Sequence, residues 1–231
     1  MTTIQKDRRP EMDVAGLSTE LLREPIAPLA PSVAADSGFP KVWDGRLAYV
    51  ISTIGSPPVL APLAIALVAS TLEPVAWAWT GGYVLLTVLL PLFYLMWLKR
   101  RGLITDLDVQ VREQRVRPMV FTLACGGIAW LALLLGKAPA PMAFLAGLLW
   151  LQMFVIYIVT LYWKISVHCS TAAGMATILW MLLGVSLPLL LGVPLIAWSR
   201  VRLRRHTLAQ TIAGSVLGVT LFTAAIALTH N

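Results

Sequence analysis

Residues 199–210 read SRVRLRRHTLAQ and lie between two long apolar runs. Charged side chains are rarely placed in the hydrocarbon of a bilayer, so this stretch indicates a connection between two membrane-spanning helices. It places four Arg residues and one His at the mouth of the last span. If the segment is helical, His206 and Gln210 lie one turn apart on the same face, and Gln210 is then placed to orient the imidazole.

The composition of the whole chain is that of a membrane protein. Of its 231 residues, 58% are hydrophobic and 13% are charged, whereas a soluble domain carries about 25% charged residues. The apolar residues form long blocks, which is typical of transmembrane helices. We therefore predict an all-α fold, a polytopic bundle of about six to seven transmembrane helices.

The chain divides into two expected parts. Residues 1–40 are polar and rich in Pro and Ala, and are predicted to be a disordered tail. Residues 41–231 are predicted to form one transmembrane domain. Its spans are expected at about Leu47–Thr71, Val75–Leu98, Met119–Gly136, Met142–Trp163, Ser170–Ser186, Leu189–Trp198 and Thr207–Leu228.

Three of these spans are unusual. The sequence GSPP at residues 55–58 is expected to kink or divide the first one. The fifth and sixth are shorter than the usual crossing of about 20 residues. We predict that they form a tilted hairpin whose second helix continues into the Arg-rich stretch. The alternative is one long broken helix, which would place His168 and His206 on opposite sides of the membrane.

The distribution of charge bears on the topology. With seven crossings, the tail, the loop after the second span, residues 166–168 and residues 200–206 share one side. That side holds all of the 18 Lys and Arg residues except Lys137. An excess of Lys and Arg marks the cytoplasmic side of a membrane protein, so we predict that this face is cytoplasmic.

The net charge of +7 favours an anionic partner. The basic residues flank spans and do not form one soluble face, so lipid headgroups or a phosphorylated substrate fit better than nucleic acid. Guanidinium groups bind phosphate oxygens in pairs, hydroxyl groups add donors, and the helix start near Ser170 presents backbone N–H groups to anions. Arg117 and Arg200 are the two expected clamps. The candidate phosphate ligands are Arg112, Arg115, Arg117, Arg200, Ser166 and Ser199.

The Arg-rich stretch resembles the third signature of the type-2 phosphatidic acid phosphatase superfamily, which is a family of integral-membrane lipid phosphatases. Ser199, Arg200 and His206 stand at the matching positions. The family has Asp where this chain has Gln210. The arrangement of His, three residues and Gln is similar to the branch that contains dolichyl-diphosphate phosphatases, which directs the substrate hypothesis towards polyisoprenyl phosphates.

The other two family signatures are present in part. Arg117-Pro118 matches the end of the first signature, but Gln110 stands where the family has Lys, and Arg112 or Arg115 could replace that charge. The second signature, Pro-Ser-Gly-His, is matched by Ser166 and His168 alone. In the family these motifs commonly face away from the cytosol, which disagrees with the charge rule.

The resemblance implies a metal-independent phosphatase without a cofactor. His206 would be the nucleophile that forms a phosphohistidine, and His168 would be the acid for the leaving oxygen. This division of roles requires His206 to be neutral and His168 to be charged. The substrate would be a lipid phosphomonoester or diphosphate in the bilayer.

Other functions remain open at this stage. The replacements at Gln110 and Gln210 also suit a non-hydrolytic relative, either a lipid-phosphate phosphotransferase or a binder. A small-solute transporter is less favoured because no internal repeat is visible. Asp106-Leu107-Asp108 has no second acidic cluster to complete a metal site, so a solvated loop or an Arg partner is expected. Gly214 and Gly218 form a GxxxG pair, which is expected to allow close helix packing.

Overall fold

The computed structural model describes residues 42–109, 111 and 113–229. Within these ranges the fold is helical and contains no strand, which confirms the predicted fold class. The predicted tail lies outside the described residues, as do Gln110, Arg112 and His230.

Eight helices make up the described chain, and several of them contain or adjoin irregular turns. A π-helical turn interrupts α3 at Leu85–Leu89, and another at Pro188–Gly192 leads into α7. In chain order the helices are α1 Trp43–Ile54, α2 Pro57–Ala69, α3 Val75–Arg100, α4 Glu113–Leu135, α5 Ala140–Tyr162, α6 Val167–Leu183, α7 Val193–Arg202 and α8 Leu208–Thr229.

Four helices are long and apolar enough to cross a membrane, namely α3, α4, α5 and α8. The bent pair of α1 and α2 would make a fifth if the two form one span. Large apolar side chains also cover the outside of the bundle; Leu135, for example, is 82% exposed. The apolar helices indicate a multi-pass membrane protein. By length and composition the described chain thus has four or five candidate spans, fewer than the six to seven predicted, because α6 and α7 are shorter.

The first predicted span is divided, as expected. Helix α1 ends at Ile54 and α2 begins at Pro57, and the two axes are bent by 43°. Proline is favourable at the first position of a helix, where its missing N–H has no partner to lose. The break brings the end of α1 beside the site described below.

Two other helices begin earlier than the sequence predicted. Helix α4 starts at Glu113 with a 3₁₀ turn and not at Met119. Its α-helical part begins at Val116, and Pro118 is tolerated there because it lies in the first α-helical turn. Helix α6 starts at Val167 and not at Ser170. The cause is Ser166, whose hydroxyl caps the helix by accepting the N–H of Cys169 at 3.3 Å.

Helices α6 and α8 pack at very short range. A Cβ atom placed on Gly214 would lie 2.5 Å from the carbonyl oxygen of Ser166, and one on Gly218 would contact the carbonyl oxygen of Ser170. Only glycine fits at these positions, so the GxxxG pair does allow close packing. The contact fixes the start of α6 next to the start of α8, which carry His168 and His206 respectively.

Candidate functional site

A cavity of about 550 Å³ opens where the ends of several helices meet. It is bordered by the end of α1, the α3–α4 loop, the starts of α4 and α6, and the turn from α7 to α8. This convergence excludes the alternative topology in which His168 and His206 lie at opposite surfaces. The titratable side chains that line the cavity are Tyr49, Lys99, Asp106, Asp108, Arg115, His168, Arg200, Arg205 and His206.

Arg200 is the most buried of these groups, with 2% of its surface exposed. Its Nη1 donates to Ser52 Oγ at 2.7 Å and to Asp108 Oδ2 at 3.1 Å, and lies 3.4 Å from His168 Nε2. A buried charge is tolerated only when paired and hydrogen-bonded, and these contacts supply that. Ser52 was not predicted from the sequence, where it is one hydroxyl in an apolar run.

The acidic residues of the α3–α4 loop form ion pairs with arginines. Asp108 Oδ2 lies 3.5 Å from Arg205 Nε, in addition to its contact with Arg200. Asp106 Oδ1 lies 3.7 Å from Arg205 Nη1. The sequence left open whether Asp106 and Asp108 are solvated or paired with arginine. In the structure both are paired with arginine.

The turn from α7 to α8 brings the Arg-rich stretch back over the end of α7. Arg204 adopts a left-handed backbone with φ 54°; the N–H of Arg205 bonds the carbonyl of Arg200 at 3.0 Å, and the N–H of Arg204 bonds the carbonyl of Val201 at 2.9 Å. This is the hydrogen-bond pattern of a Schellman-type helix end, in which glycine usually takes the left-handed position. The reversal directs the side chains of Arg205 and His206 into the cavity.

His206 is held by Gln210. Its Nδ1 lies 3.2 Å from Gln210 Oε1, and because that oxygen can only accept, the ring proton is on Nδ1. Gln210 Oε1 also accepts the N–H of Thr207 at 3.1 Å, while Thr207 Oγ1 accepts the N–H of Gln210 at 3.3 Å. Thr207 and Gln210 thus form a capping box at the start of α8. The Nε2 atom of His206 keeps its lone pair.

The surroundings keep His206 neutral. It is 7% exposed and lies before the first residue of α8. Burial lowers the pKa of His206 to about 2, and the positive charges of Arg115 and Arg200 act in the same direction. A neutral imidazole with a free Nε2 lone pair is the form that a nucleophile needs.

His168 has a different environment. Arg200 Nη1 has two N–H groups and already donates to Ser52 and Asp108, so its 3.4 Å approach to His168 Nε2 is at most a shared hydrogen bond, made when Nε2 carries no proton. Burial, and then the positive charge of Arg200, lower the pKa of His168 to about 3, so the ring is neutral. The resemblance implied a charged His168, and that form needs additional negative charge in the cavity.

The arginines of the first cluster do not all reach the cavity. Arg115 is buried and lines it, and its Nε donates to the carbonyl of Val109 at 2.7 Å. Arg117, one of the two expected clamps, is partly buried and is not one of the lining residues. Arg112 lies outside the described residues.

The three serines proposed or implied as phosphate donors have structural roles in the described chain. Ser166 is fully buried and caps α6. The Ser199 hydroxyl donates to the carbonyl of Ile196 at 2.7 Å. The N–H of Ser170 bonds Ser166, and its hydroxyl and carbonyl oxygens both accept from Gln152 at 2.9 Å. The residues of the α6 start that line the cavity are instead Val167 and His168, both of them partly buried.

One cation near the site was missed by the sequence analysis. Burial lowers the pKa of Lys164 to about 8, and repulsion from Arg115 and Arg200 adds to the effect. Lys164 in turn contributes to the lowered pKa of His206. Its position two residues before Ser166 was visible in the sequence, but no family signature contains it.

Metal binding finds no support in the part of the chain that the structure describes. There, no group of three or more His, Cys, Asp or Glu side chains is placed to hold a metal ion. The acidic side chains of the cavity face arginines.

A second cavity, of about 230 Å³, lies deeper in the bundle. Its lining is mostly apolar and comes from α2 to α6, with Trp150 and Gly126 among the lining residues. The two cavities have Pro57, Pro58, Leu92, Leu95, Thr122 and Val167 in common. A polar chamber at the mouth of the bundle is therefore adjacent to an apolar one within it.

Residues 160–231 match the family model described as the PAP2 superfamily. The matched segment comprises α6, α7 and α8 with His168, Arg200, His206 and Gln210. It supports the resemblance predicted from the second and third signatures. No curated protein and no solved structure matches the chain.

Proposed function

We propose that the protein is an integral-membrane phosphatase that removes a phosphoryl group from a lipid phosphomonoester or diphosphate. The observation that carries the proposal is the convergence of His206, His168 and Arg200 on one cavity at the end of an apolar bundle. The family match to residues 160–231 supports the same class of activity.

The phosphoryl group is held by guanidinium groups. Arg200 and Arg115 line the cavity and present charged donors to the equatorial oxygens. Arg205 adds a third guanidinium on the same side. Arg117 and Arg112 remain proposals from the first signature. Ser166 and Ser199 remain proposals as hydroxyl donors, although the first caps α6 and the second bonds Ile196 within α7.

The chemical step uses the two imidazoles in different roles. His206 Nε2 attacks phosphorus, forming the N–P bond as the bond to the leaving oxygen breaks. Gln210 Oε1 accepts the N–H of His206 Nδ1, which keeps the proton on Nδ1 and so fixes the attacking tautomer. A substrate dianion supplies the negative charge that stabilises a proton on His168, which then passes to the leaving oxygen. Water attacks the phosphohistidine, His168 takes the proton of that water, and inorganic phosphate leaves with His206 again neutral.

The lipid tail is proposed to enter the apolar cavity. Its lining residues Thr122 and Val167 border the polar cavity as well, so a chain attached to a phosphate at Arg200 can continue between the helices. A prenyl chain suits this position as well as an acyl chain. Of the two, we propose a polyisoprenyl phosphate or diphosphate as the substrate, because the resemblance at Gln210 suggests it.

Phosphate release by the purified protein tests the proposal. In EDTA, wild-type protein is expected to release inorganic phosphate from polyprenyl diphosphate or phosphatidate, and His206→Ala to reduce the rate to background. Arg200→Gln is expected to lose at least about 100-fold in kcat/KM. Arg202→Gln is the matched control, because Arg202 pairs with Asp44 at 2.7 Å outside the cavity. Unchanged turnover by His206→Ala would rule the mechanism out.

The tail site can be tested separately. A side chain added at Gly126 enters the apolar cavity, since its Cβ would lie 3.3 Å from Trp150 Cδ1. Gly126→Leu is expected to raise KM for long-chain substrates and to leave a short, water-soluble phosphate ester unaffected. Gly81→Leu, where nothing lies within 4 Å, is the control. Equal KM changes for both substrates would contradict a tail site.

The charged face is proposed to be cytoplasmic. The exposed Arg101 lies beside it, and the two native cysteines, Cys125 and Cys169, are free and buried. Arg101→Cys should therefore react with an impermeant maleimide in inside-out vesicles and not in intact cells. Labelling in intact cells would reverse the orientation.

A further inference from the structure

The carboxylate of Asp108 lies among the cations that would bind a phosphoryl group. One of its oxygens, Oδ2, is 3.1 Å from Arg200 Nη1 and 3.5 Å from Arg205 Nε. The Asp108 side chain is 30% exposed and lines the cavity together with both arginines. A single carboxylate oxygen thus bridges the two guanidinium groups.

The two arginines have more donors than Asp108 satisfies. Arg200 Nε and Arg205 Nη1 are buried and make no hydrogen bond among the residues that the structure describes; the nearest carboxylate oxygen to Arg205 Nη1, Asp106 Oδ1, is 3.7 Å away. Leaving a buried donor unpaired costs free energy, and more so for a charged group. A carboxylate has two oxygens, whereas a phosphoryl group presents three. A phosphate in the position of Asp108 can therefore satisfy donors that the carboxylate leaves unpaired.

The charges that line the cavity agree with this comparison. Four cationic side chains, Lys99, Arg115, Arg200 and Arg205, face two carboxylates, Asp106 and Asp108. The excess is two positive charges, which a phosphate dianion neutralises while both carboxylates remain in the protein. Without the carboxylates the excess would be four, and the inorganic phosphate product would be held more tightly.

We propose that Asp108 is an internal competitor for the phosphate position. Its carboxylate occupies the guanidinium groups of Arg200 and Arg205 in the empty cavity, is displaced when a phosphate enters, and returns to help expel the inorganic phosphate product. The inference rests on the proposed role of the cavity in binding phosphate. It adds a residue that sets affinity and product release and that no family signature contains.

Asp108 is ionised at neutral pH, as a competitor must be. Burial alone would raise the pKa of Asp108, but the positive charges of Arg200 and Arg205 outweigh it and lower the pKa. The residue next to it, Val109, has a left-handed backbone with φ 44°. This conformation is strained for a β-branched residue, so the backbone directly after Asp108 is in an unfavourable conformation.

Binding of inorganic phosphate to the purified full-length protein tests the proposal directly. Titration calorimetry is expected to show that Asp108→Asn binds phosphate at least about tenfold more tightly than wild type, because a like charge is removed from the site. Loss of a merely structural residue would weaken binding, so the sign of the change separates the two roles. Asp44→Asn, which removes the carboxylate paired with Arg202 outside the cavity, is expected to bind as wild type does.

Hydrogen exchange of the wild-type protein gives a second test that needs no variant. Saturating phosphate is expected to speed exchange in residues 103–109 and to slow it in residues 199–206. Slower exchange in both segments would mean that the loop closes on phosphate and would overturn the proposal. So would Asp108→Asn binding phosphate no more tightly than wild type, or phosphate binding to neither protein. Lipid-phosphate turnover in a protein that fails these tests would leave the proposed function in place.

Discussion

The side-chain oxygen of Gln210 lies 3.2 Å from His206 Nδ1 and accepts the backbone N–H of Thr207 at 3.1 Å. One amide oxygen therefore both orients the imidazole and caps helix α8. The family signature that this stretch resembles has Asp at this position. Gln210 keeps one property of such a carboxylate and lacks another. It fixes the tautomer of His206 but adds no negative charge to stabilise the imidazolium.

Gln210→Leu is expected to reduce kcat by about 10²- to 10⁴-fold, because His206 loses the acceptor that keeps its proton on Nδ1. The measurement is phosphate release at saturating lipid phosphate. Gln210→Glu keeps an acceptor at the same distance and is expected to retain most of the activity. An equal loss in both variants would show that the amide group itself, and not an acceptor oxygen, is required.

Thr207→Ala separates the cap from the imidazole. It removes the bond from the N–H of Gln210 to Thr207 Oγ1 but leaves the contact of Gln210 with His206. We expect a loss of stability of about 1 kcal/mol, which is usual for a helix cap, and a kcat within about twofold of wild type. Thermal unfolding in detergent and the phosphate assay measure the two effects on the same sample.

Arg115 is expected to matter more for turnover than Arg117. Arg115 lines the cavity and lowers the pKa of His206 through its charge, whereas Arg117 is not among the lining residues. Arg115→Lys keeps a charge but loses the paired donors, and should lower kcat/KM by about tenfold or more. Arg117→Lys should change it less. The reverse order would restore Arg117 as the clamp that the first signature implies.

Much of the fold was predictable because it depends on local patterns. Apolar blocks gave the helical fold class, and the GSPP sequence at residues 55–58 gave the break between α1 and α2. The GxxxG pair predicted a close helix contact, but not that α6 is the partner of α8. The number of spans was less predictable, since apolar composition does not set helix length: α6 ends at Leu183 with Gly184 in the left-handed conformation, φ 69°.

The site was predictable where residues are close in sequence. His206 and Gln210 are four positions apart, and their contact follows from the start of α8. The partners of Arg200 were not predictable, because Ser52 and Asp108 are 148 and 92 positions away along the chain. Nothing in a single apolar run distinguishes the serine that faces a buried arginine from one that faces lipid.

The pH dependence of kcat/KM is expected to fall above about pH 8. Burial and the charges of Arg115, Arg200 and Arg205 lower the pKa of Lys164 to about 8, against one opposing carboxylate, Asp106. Lys164 is charged below this pH and neutral above it. Lys164 interacts electrostatically with Arg115, Arg200 and His206 of the cavity, so its deprotonation makes the cavity less positive. The affinity for a phosphate is therefore expected to decrease as pH rises, and kcat/KM reports this in the free enzyme.

Lys164→Arg provides the control for that profile. Arginine stays protonated throughout the range, so the variant should show a flatter curve between pH 7 and 9.5. Lys164→Gln should show at pH 7 the low kcat/KM that wild type reaches only at high pH. If kcat/KM of Lys164→Arg falls above pH 8 just as that of the wild type does, the titrating group is not Lys164.

Gly218→Ala is expected to destabilise the protein and to reduce activity together. The added methyl group would meet the carbonyl oxygen of Ser170 and lie 2.9 Å from Ala173 Cβ, so α8 must move away from α6. Such overpacking costs about 1–3 kcal/mol. Because His168 begins α6 and His206 precedes α8, the same shift separates the two imidazoles. Gly81→Ala, with nothing within 4 Å of the new methyl group, should leave the unfolding temperature unchanged or raise it, since alanine favours a helix over glycine. If Gly218→Ala unfolds at the wild-type temperature and retains full turnover, the close approach of α6 and α8 does not set the spacing of the two imidazoles.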